Sequence, residues 1–187
     1  MGFHTFDPER APALEDASRY RWCSREELLF LLDPRGEHAV ADLGSGTGFY
    51  ADDVAPHVDT LYAIDIQDEM HEFYREKGVP ETVETVHAGT DDLPLATDSL
   101  DAAFSVDTYH EFASDESLAE LARVLKPGGR LVTVDWSATG DQDAGPPLTE
   151  RFSLGDAVSQ LQDAGFSIRR AIDRRETFVC VANAPDR

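Results

Sequence analysis

A chain of 187 residues suits one domain with one sizeable core, and no apolar run approaches the roughly 20 residues of a transmembrane helix. Its net charge of −21, from 37 acidic and 16 basic residues, repels phosphate backbones and anionic membranes, and the end-to-end spread of the acids fits a halophilic surface screened by molar salt. Cys23 and Cys180 are far apart and the six histidines are dispersed, so neither a disulfide framework nor a metal site is indicated.

The start, Met1 to Phe6, has no basic segment followed by a long apolar one, and Phe6 stands where a myristoylation signal needs Ser or Thr. A cytoplasmic protein is expected. Up to about Arg21 the chain carries Pro8, Pro12 and many charges, and reads as an arm or short helix over the core. Ser24-Arg25-Glu26-Glu27 has capping-box spacing ahead of Leu28 to Leu32, and Asp33-Pro34-Arg35-Gly36 stops that helix. The arm and this helix either lid a pocket with Tyr20, Arg21 and Trp22 or simply cover a sheet edge.

His38 to Ala41 reads as a strand, and Asp42-Leu43-Gly44-Ser45-Gly46-Thr47-Gly48 follows it. Three glycines in one turn let backbone N–H groups lie directly against a ligand at the start of a helix from about Tyr50 to Ala55. Thr60 to Ile64, ending in Asp65, has the near-continuous apolar pattern of a buried parallel strand. Met70, Phe73, Tyr74 and Lys77 suggest a helix closed by Gly78, and Val83 to Val86 a short strand.

Leu100 to Val106 is the next strand, followed by a polar and aromatic strand-end loop from Asp107 to Phe112. Ser114 caps a helix whose Leu118, Leu121, Ala122 and Leu125 share a face, and Lys126-Pro127-Gly128-Gly129 ends it. Arg130 to Trp136 is a strand, and Ala138 to Pro147 a Gly/Pro/Asp-rich loop expected to be mobile; Trp136, Pro146, Pro147 and Arg151 wall a pocket there or only pack the loop. A helix capped by Ser153 and two closing strands, Phe166 to Ile172 and Thr177 to Ala182, complete the chain. Strand–helix alternation that ends in a strand pair predicts a three-layer α/β fold, with helices on both faces of a doubly wound, mostly parallel, seven-stranded sheet that has one antiparallel strand.

In such a sheet ligands sit outside the carboxyl ends of the strands, where Asp65, 19 residues after Gly46, can accept hydrogen bonds from two ribose hydroxyls. The dinucleotide pattern GxGxxG would put Gly where Phe49 stands, which argues against an NAD(P)-dependent oxidoreductase, the alternative reading. Val40 to Gly48 resembles motif I of the class I S-adenosylmethionine-dependent methyltransferases. Leu61 to Asp65 resembles their acidic second-strand motif, and Leu121 to Leu131 their run into strand five. The resemblance covers roughly residues 38 to 136 and is nearest the small-molecule branch called type 11.

The resemblance implies one methyltransferase domain over 1–187: a helical arm or lid over 1–36, a cofactor-binding core over 37–136, and a loop, helix and strand pair over 137–187. It implies S-adenosyl-L-methionine as cofactor. Gly44, Gly46 and the N–H groups of the turn, which includes Ser45 and Gly48, would hold its methionine part; Asp42 would order the turn or reach the cofactor's ammonium, Asp65 would hold the ribose, and Ile66 would flank the adenine. The adenine partner is Asp91, with Thr90 and Asp92 behind it, because the usual Asp-Ala pair is replaced by Thr90-Asp91-Asp92. Asp107 would lie beside the cofactor at the end of the fourth strand.

Methyl transfer is an in-line displacement, and a base helps only when the acceptor must lose a proton. His110 is the candidate base and Tyr109 the candidate aligner, although a lone His at a strand end is also commonly structural. Val106-Asp107-Thr108-Tyr109 lacks the Asn/Asp-Pro-Pro-aromatic tetrad of methyltransferases that act on bases or Gln. A small-molecule acceptor is therefore expected, with no nucleic-acid partner and a monomer or homodimer as the working unit. A cofactor-binding protein without catalysis is the remaining alternative.

Overall fold

The computed structural model describes residues 6–186. Ahead of the sheet lie two 3₁₀ segments, Pro8–Glu15 and Ala17–Arg21, and α1 (Arg25–Leu32). Prolines at positions 8 and 12 keep the first segment from α geometry, and Asp7 and Asp16 each cap a 3₁₀ start through a carboxylate. Ser24 caps α1 by accepting from the Glu27 N–H at 3.1 Å, and Asp33 ends it in the left-handed region. The expected capping box is only half formed, because the Glu27 carboxylate is drawn away to Arg174.

The strands are β1 (Ala39–Leu43), β2 (Thr60–Asp65), β3 (Val83–His87), β4 (Leu100–Val106), β5 (Leu125–Trp136), β6 (Ser167–Asp173) and β7 (Thr177–Asn183). They form one sheet in the order β3-β2-β1-β4-β5-β7-β6. β7 runs antiparallel to both its neighbours, β5 and β6, while the other pairings are parallel. The strand order reverses between β1 and β4, so the crevice outside their carboxyl ends is the place for a ligand.

The central strands are buried on both faces, and their side chains alternate between two cores. Val40, Ala63, Phe104, Val132 and Val134 face α1, α2 (Ala51–Val54) and Tyr74 of α3 (Asp68–Lys77). Ala41, Leu43, Ala103, Leu131 and Phe178 face α4 (Tyr109–Phe112), α5 (Asp115–Val124) and α6 (Leu154–Asp163). Ser153 and Asp156 make a full capping box on α6.

Three local expectations change. The helix after the glycine turn lasts only four residues before Pro56 tightens it into a 3₁₀ turn, and the N–H groups of Gly44 and Ser45 are both taken by Ile64 O at 2.9 Å. Tyr109–Phe112 is a single α turn instead of a loop. β5 starts at Leu125, with Lys126 to Gly129 inside it: Lys126 Nζ meets Asp101 Oδ1 at 2.6 Å, and Asp101 Oδ2 accepts from the Ala39 N–H at 2.9 Å. That chain of contacts ties β5, β4 and β1 together at their start.

The loop from Ala138 to Pro147 is anchored. The buried Arg151 guanidinium donates to Pro146 O at 2.8 Å, to Ser137 O at 3.3 Å and to Ala144 O, and pairs with Glu176 at 3.4 Å. Gly145 is pressed so closely on Trp136 that a Cβ there would lie 2.4 Å from the ring. Arg151 and Trp136 thus hold the loop down.

Candidate active site

β1 delivers Asp42 and the glycine turn to the crevice. Gly44 and Gly48 have φ of +73° and +80°, and a Cβ on them would lie 2.8 Å from Thr108 Cγ2 and 2.2 Å from the Tyr74 ring. Side chains of this protein therefore fill the space these two glycines leave, so both are required by packing as well as by backbone conformation. Gly46 is the glycine that faces the arm, with Leu14 Cδ1 3.2 Å from where its Cβ would be. Ser45, buried beside it, has a hydroxyl with no hydrogen-bond partner. An unanswered hydroxyl in a glycine turn fits a site that receives polar groups of a ligand.

Asp65 at the end of β2 sits across from this turn. Its Oδ2 accepts from the Gly46 N–H at 2.8 Å and its Oδ1 from the Gln67 N–H at 2.9 Å. A carboxylate has about four acceptor positions, so two hydrogen bonds to a ribose diol remain available. Burial pushes the Asp65 carboxyl above the usual range, against the pull of those backbone N–H groups. Behind it lies His71, buried, with an unpartnered Nε2 and a pKa that burial lowers. Asp42 is 3% exposed; burial pushes its carboxyl up to about 8, Arg19 pulls it down and Asp65 pushes it further up.

Ile66, 57% exposed, and Asp91 come together over Gly89: a Cβ on Gly89 would lie 2.5 Å from Asp91 Oδ1 and 3.8 Å from Ile66 Cδ1. The Thr90 hydroxyl donates to Ser117 Oγ at 3.1 Å, and Asp92 is exposed. An apolar surface beside a free carboxylate suits an adenine ring and its amino group. Asp91 therefore stays ahead of Thr90 and Asp92 for that place.

The arm lies over the same crevice. Thr47 Oγ1 donates to Glu15, which also meets Lys77 Nζ at 3.1 Å. Gln67 Nε2 donates to Phe6 O at 3.0 Å, and Arg19 donates to Leu14 O at 3.0 Å while resting over the Phe49 and Tyr50 rings. Arg19 also reaches Asp107 Oδ2 at 3.5 Å, making a cation from the arm part of the site.

Asp107 follows the end of β4, and its φ of +63° is strained for a residue with a side chain. Its Oδ1 is buried without a partner, and burial raises its pKa to about 6, opposed by Arg19. One residue on, Thr108 Oγ1 donates to Leu43 O at 2.8 Å and fastens this loop to β1.

The single turn of α4 separates its side chains. Tyr109 is fully buried among Phe112, Phe152 and Phe178, and its hydroxyl meets Gln160 Oε1 at 3.2 Å. The expectation that Tyr109 aligns the acceptor is corrected: it is a core residue, because successive helix positions diverge by about 100° and only one can face the crevice. His110 takes that place, its side chain 10% exposed. Its Nδ1 lies 3.0 Å from both Oδ1 and Oδ2 of Asp135, the fully buried penultimate residue of β5. Nε2 points toward Glu111 Oε1 at 3.9 Å.

Burial alone would lower the His110 pKa, but Asp135, then Glu111 and Asp107, outweigh it and leave the pKa raised. Burial raises Glu111 to about 7. Glu15, Arg19, Glu111 and Asp135 escape a motif reading. One signal for Asp135 is visible in the chain: β2, β4 and β5 each carry an Asp at or beside the carboxyl end, as Asp65, Asp107 and Asp135.

Among the described residues, the carboxylates close enough to share an ion are Asp141, Asp143 and Glu176. Arg175 already meets the first two and Arg151 the third. No described helix is long and apolar enough to cross a membrane.

Residues 41–133 match the family described as "Methyltransferase domain". A solved structure of an S-adenosylmethionine-dependent methyltransferase from Aquifex aeolicus is 30% identical, with a TM-score of 0.87 over 96% of this chain and 100% of that one. A demethylmenaquinone methyltransferase of Clavibacter sepedonicus is 36% identical over 106 residues, 56% of this chain and 43% of that protein. A Mus musculus protein named "Probable tRNA methyltransferase 9B" is 31% identical over 138 residues, 72% of this chain and 29% of that protein. The chain spans 58%, 42% and 18% of the lengths of the first three curated relatives it matches.

Proposed function

Since this chain belongs to the class I S-adenosylmethionine-dependent methyltransferases, we propose that it methylates a small-molecule acceptor, with the donor held between the glycine turn, Asp65 and the end of β4. The observation that carries this reading is the set of unanswered polar atoms in one crevice: Ser45 Oγ, Asp107 Oδ1 and the spare lone pairs of Asp65.

The residues fit the cofactor part by part. The turn around Ser45 and Gly46 offers a hydroxyl and backbone to its methionine portion, with Asp42 below. Asp107 offers a carboxylate to a positive group. Asp65 takes the ribose hydroxyls, and Ile66 and Asp91 take the adenine. Arg19 supplies the cation nearest Asp42 and Asp107, and a guanidinium there can receive a carboxylate. When bound, S-adenosylmethionine supplies an electrophilic methyl group to an in-line nucleophile and leaves as S-adenosylhomocysteine. The protein's part is to hold acceptor, methyl and sulfur in line and to exclude water, which the arm does by lying across the crevice. His110 is the group placed to take a proton from the acceptor.

A small acceptor is favoured over RNA by three features. The side chain of His110 is only 10% exposed, and the end of β4 lacks the Asn/Asp-Pro-Pro-aromatic tetrad of methyltransferases that act on bases; the net charge of −21 opposes a polyanion at low salt. The acidic surface also supports work in molar salt, where those charges are screened within about 3 Å. The test is incubation with methyl-labelled S-adenosylmethionine plus either a low-molecular-weight cell extract or total RNA, in molar KCl. Label is expected in the small-molecule fraction. Label confined to RNA would replace the small acceptor with a nucleic acid.

A further inference from the structure

Asp135 lies outside every motif of the chain, yet it is the most completely engaged acid in the crevice. Fully buried at the end of β5, it accepts the His110 N–H at 2.6 Å and the Trp136 N–H at 2.8 Å. Both its oxygens also lie 3.0 Å from His110 Nδ1. A carboxylate facing two backbone donors is an acceptor there, so the ring nitrogen facing it must be the one that carries the proton. In the neutral ring the Nε2 lone pair is then the free one. Its nearest acidic neighbour is Glu111 Oε1 at 3.9 Å, beyond hydrogen-bond range.

We propose that Asp135 is a positioning residue that holds His110 as a proton acceptor, Nδ1–H toward its own carboxylate and Nε2 left without a hydrogen-bond partner among the described residues, so that the site serves acceptors whose nucleophilic atom carries a proton. This rests on the reading that the crevice binds S-adenosylmethionine.

The acceptor's heteroatom–H bond breaks and its proton goes to the Nε2 lone pair. The freed pair forms the bond to the methyl carbon, and the carbon–sulfur bond breaks with its electrons left on sulfur. The imidazolium so formed is paired with Asp135 and later gives its proton to solvent. Asp135 from β5, Glu111 from α4 and Asp107 just after β4 all stabilise the charged form of the ring. Arg19 from the arm offsets Asp107. A hydroxyl gains most from such a base, because its own pKa lies far above that of imidazole. Acceptors that attack without losing a proton, such as a thioether or a tertiary amine, have no use for it.

The test needs no acceptor. Nitrogen-edited NMR of the full chain in molar KCl reads the His110 tautomer and pKa in the free protein and with saturating S-adenosylhomocysteine or S-adenosylmethionine. These ligands differ by one methyl and one positive charge at sulfur. The expected results are the Nδ1–H tautomer and a His110 pKa lower with S-adenosylmethionine than with S-adenosylhomocysteine, by roughly half a unit or more, as like charges a few ångströms apart require. The Nε2–H tautomer, or the same pKa in both complexes, overturns the proposal. Asp135→Asn should lower the His110 pKa while Glu111→Gln leaves the tautomer unchanged, and an unchanged pKa in Asp135→Asn also overturns it. If Asp135→Asn does not fold, the comparison of the two ligands on the native chain still decides. Calorimetry on the same samples separates the failures: no binding of either ligand refutes the cofactor reading, whereas binding without a differential shift refutes only the dyad.

Discussion

Replacing Asp65 by Asn keeps the side chain's shape and removes its charge, which makes it the sharpest probe of the grip. In the native chain the carboxylate accepts from Gly46 N–H and Gln67 N–H at 2.8 and 2.9 Å. An Asn side chain has one acceptor oxygen and two N–H donors, so it keeps one of these bonds and turns a donor against the other. A ribose held there would meet a neutral amide in place of a carboxylate. Losing hydrogen bonds to a charged group costs about 1.5–3 kcal/mol, which is a loss in affinity on the order of 10- to 100-fold. Stability should respond differently. Burial already disfavours the charged Asp65, so removing the charge spares that cost and offsets the lost bond. Calorimetric titration with S-adenosylhomocysteine in molar KCl, beside thermal melts, reads both quantities. A dissociation constant within twofold of the native chain's would refute the assignment of Asp65 to the ribose.

Asp42, with its carboxyl raised to about 8, should make stability depend on pH. Near pH 4 and below, the folded and unfolded chains both hold this proton. Between about pH 4 and pH 8 only the folded chain keeps it, so this residue's contribution to stability falls as pH rises through that window. Asp42→Asn should therefore melt higher than the native chain at pH 8 and no higher at pH 4; equal shifts at both would show that Asp42 is not held protonated. Arg151→Met leaves Glu176 as a buried carboxylate without its ion pair. It should cost about 3–5 kcal/mol in urea unfolding, and a loss under about 1 kcal/mol would mean that the loop does not depend on Arg151. Raising KCl from about 0.1 M to about 2 M shortens the screening length from about 10 Å to below 3 Å. The melting temperature of this −21 chain should rise by many degrees, and a flat response would show that the acidic surface carries no adaptation to salt.

The fold was legible because each central strand is a short apolar run and each larger helix has a cap and an apolar face. Ser114 with Leu118 and Leu121, and Ser153 with Ala157 and Leu161, sit in the structure as their spacing requires. The short pieces were less legible. Tyr109–Phe112 is too brief to show helical periodicity, and Pro127 inside β5 reads as a stop until Lys126 is seen bound to Asp101. In the site, the glycine turn and Asp65 announce themselves by position. Asp135 does not, because an acid in an apolar strand looks like a residue facing water. Only the α turn after β4, which sends Tyr109 inward and His110 over the end of β5, gives that carboxylate its partner. The arm's contribution was hidden for a similar reason. Nothing near Glu15 or Arg19 in the chain says that Thr47 and Asp107 lie within reach.

One measurement bears most directly on what the crevice holds. Calorimetric titration in molar KCl with S-adenosylmethionine, S-adenosylhomocysteine, NAD and NADP compares the two kinds of ligand that a glycine turn followed by an acidic strand end can grip. Saturable binding of the first two, weakened by Asp65→Asn and absent for the nicotinamide pair, is the predicted result. Binding of NAD or NADP alone would contradict the account.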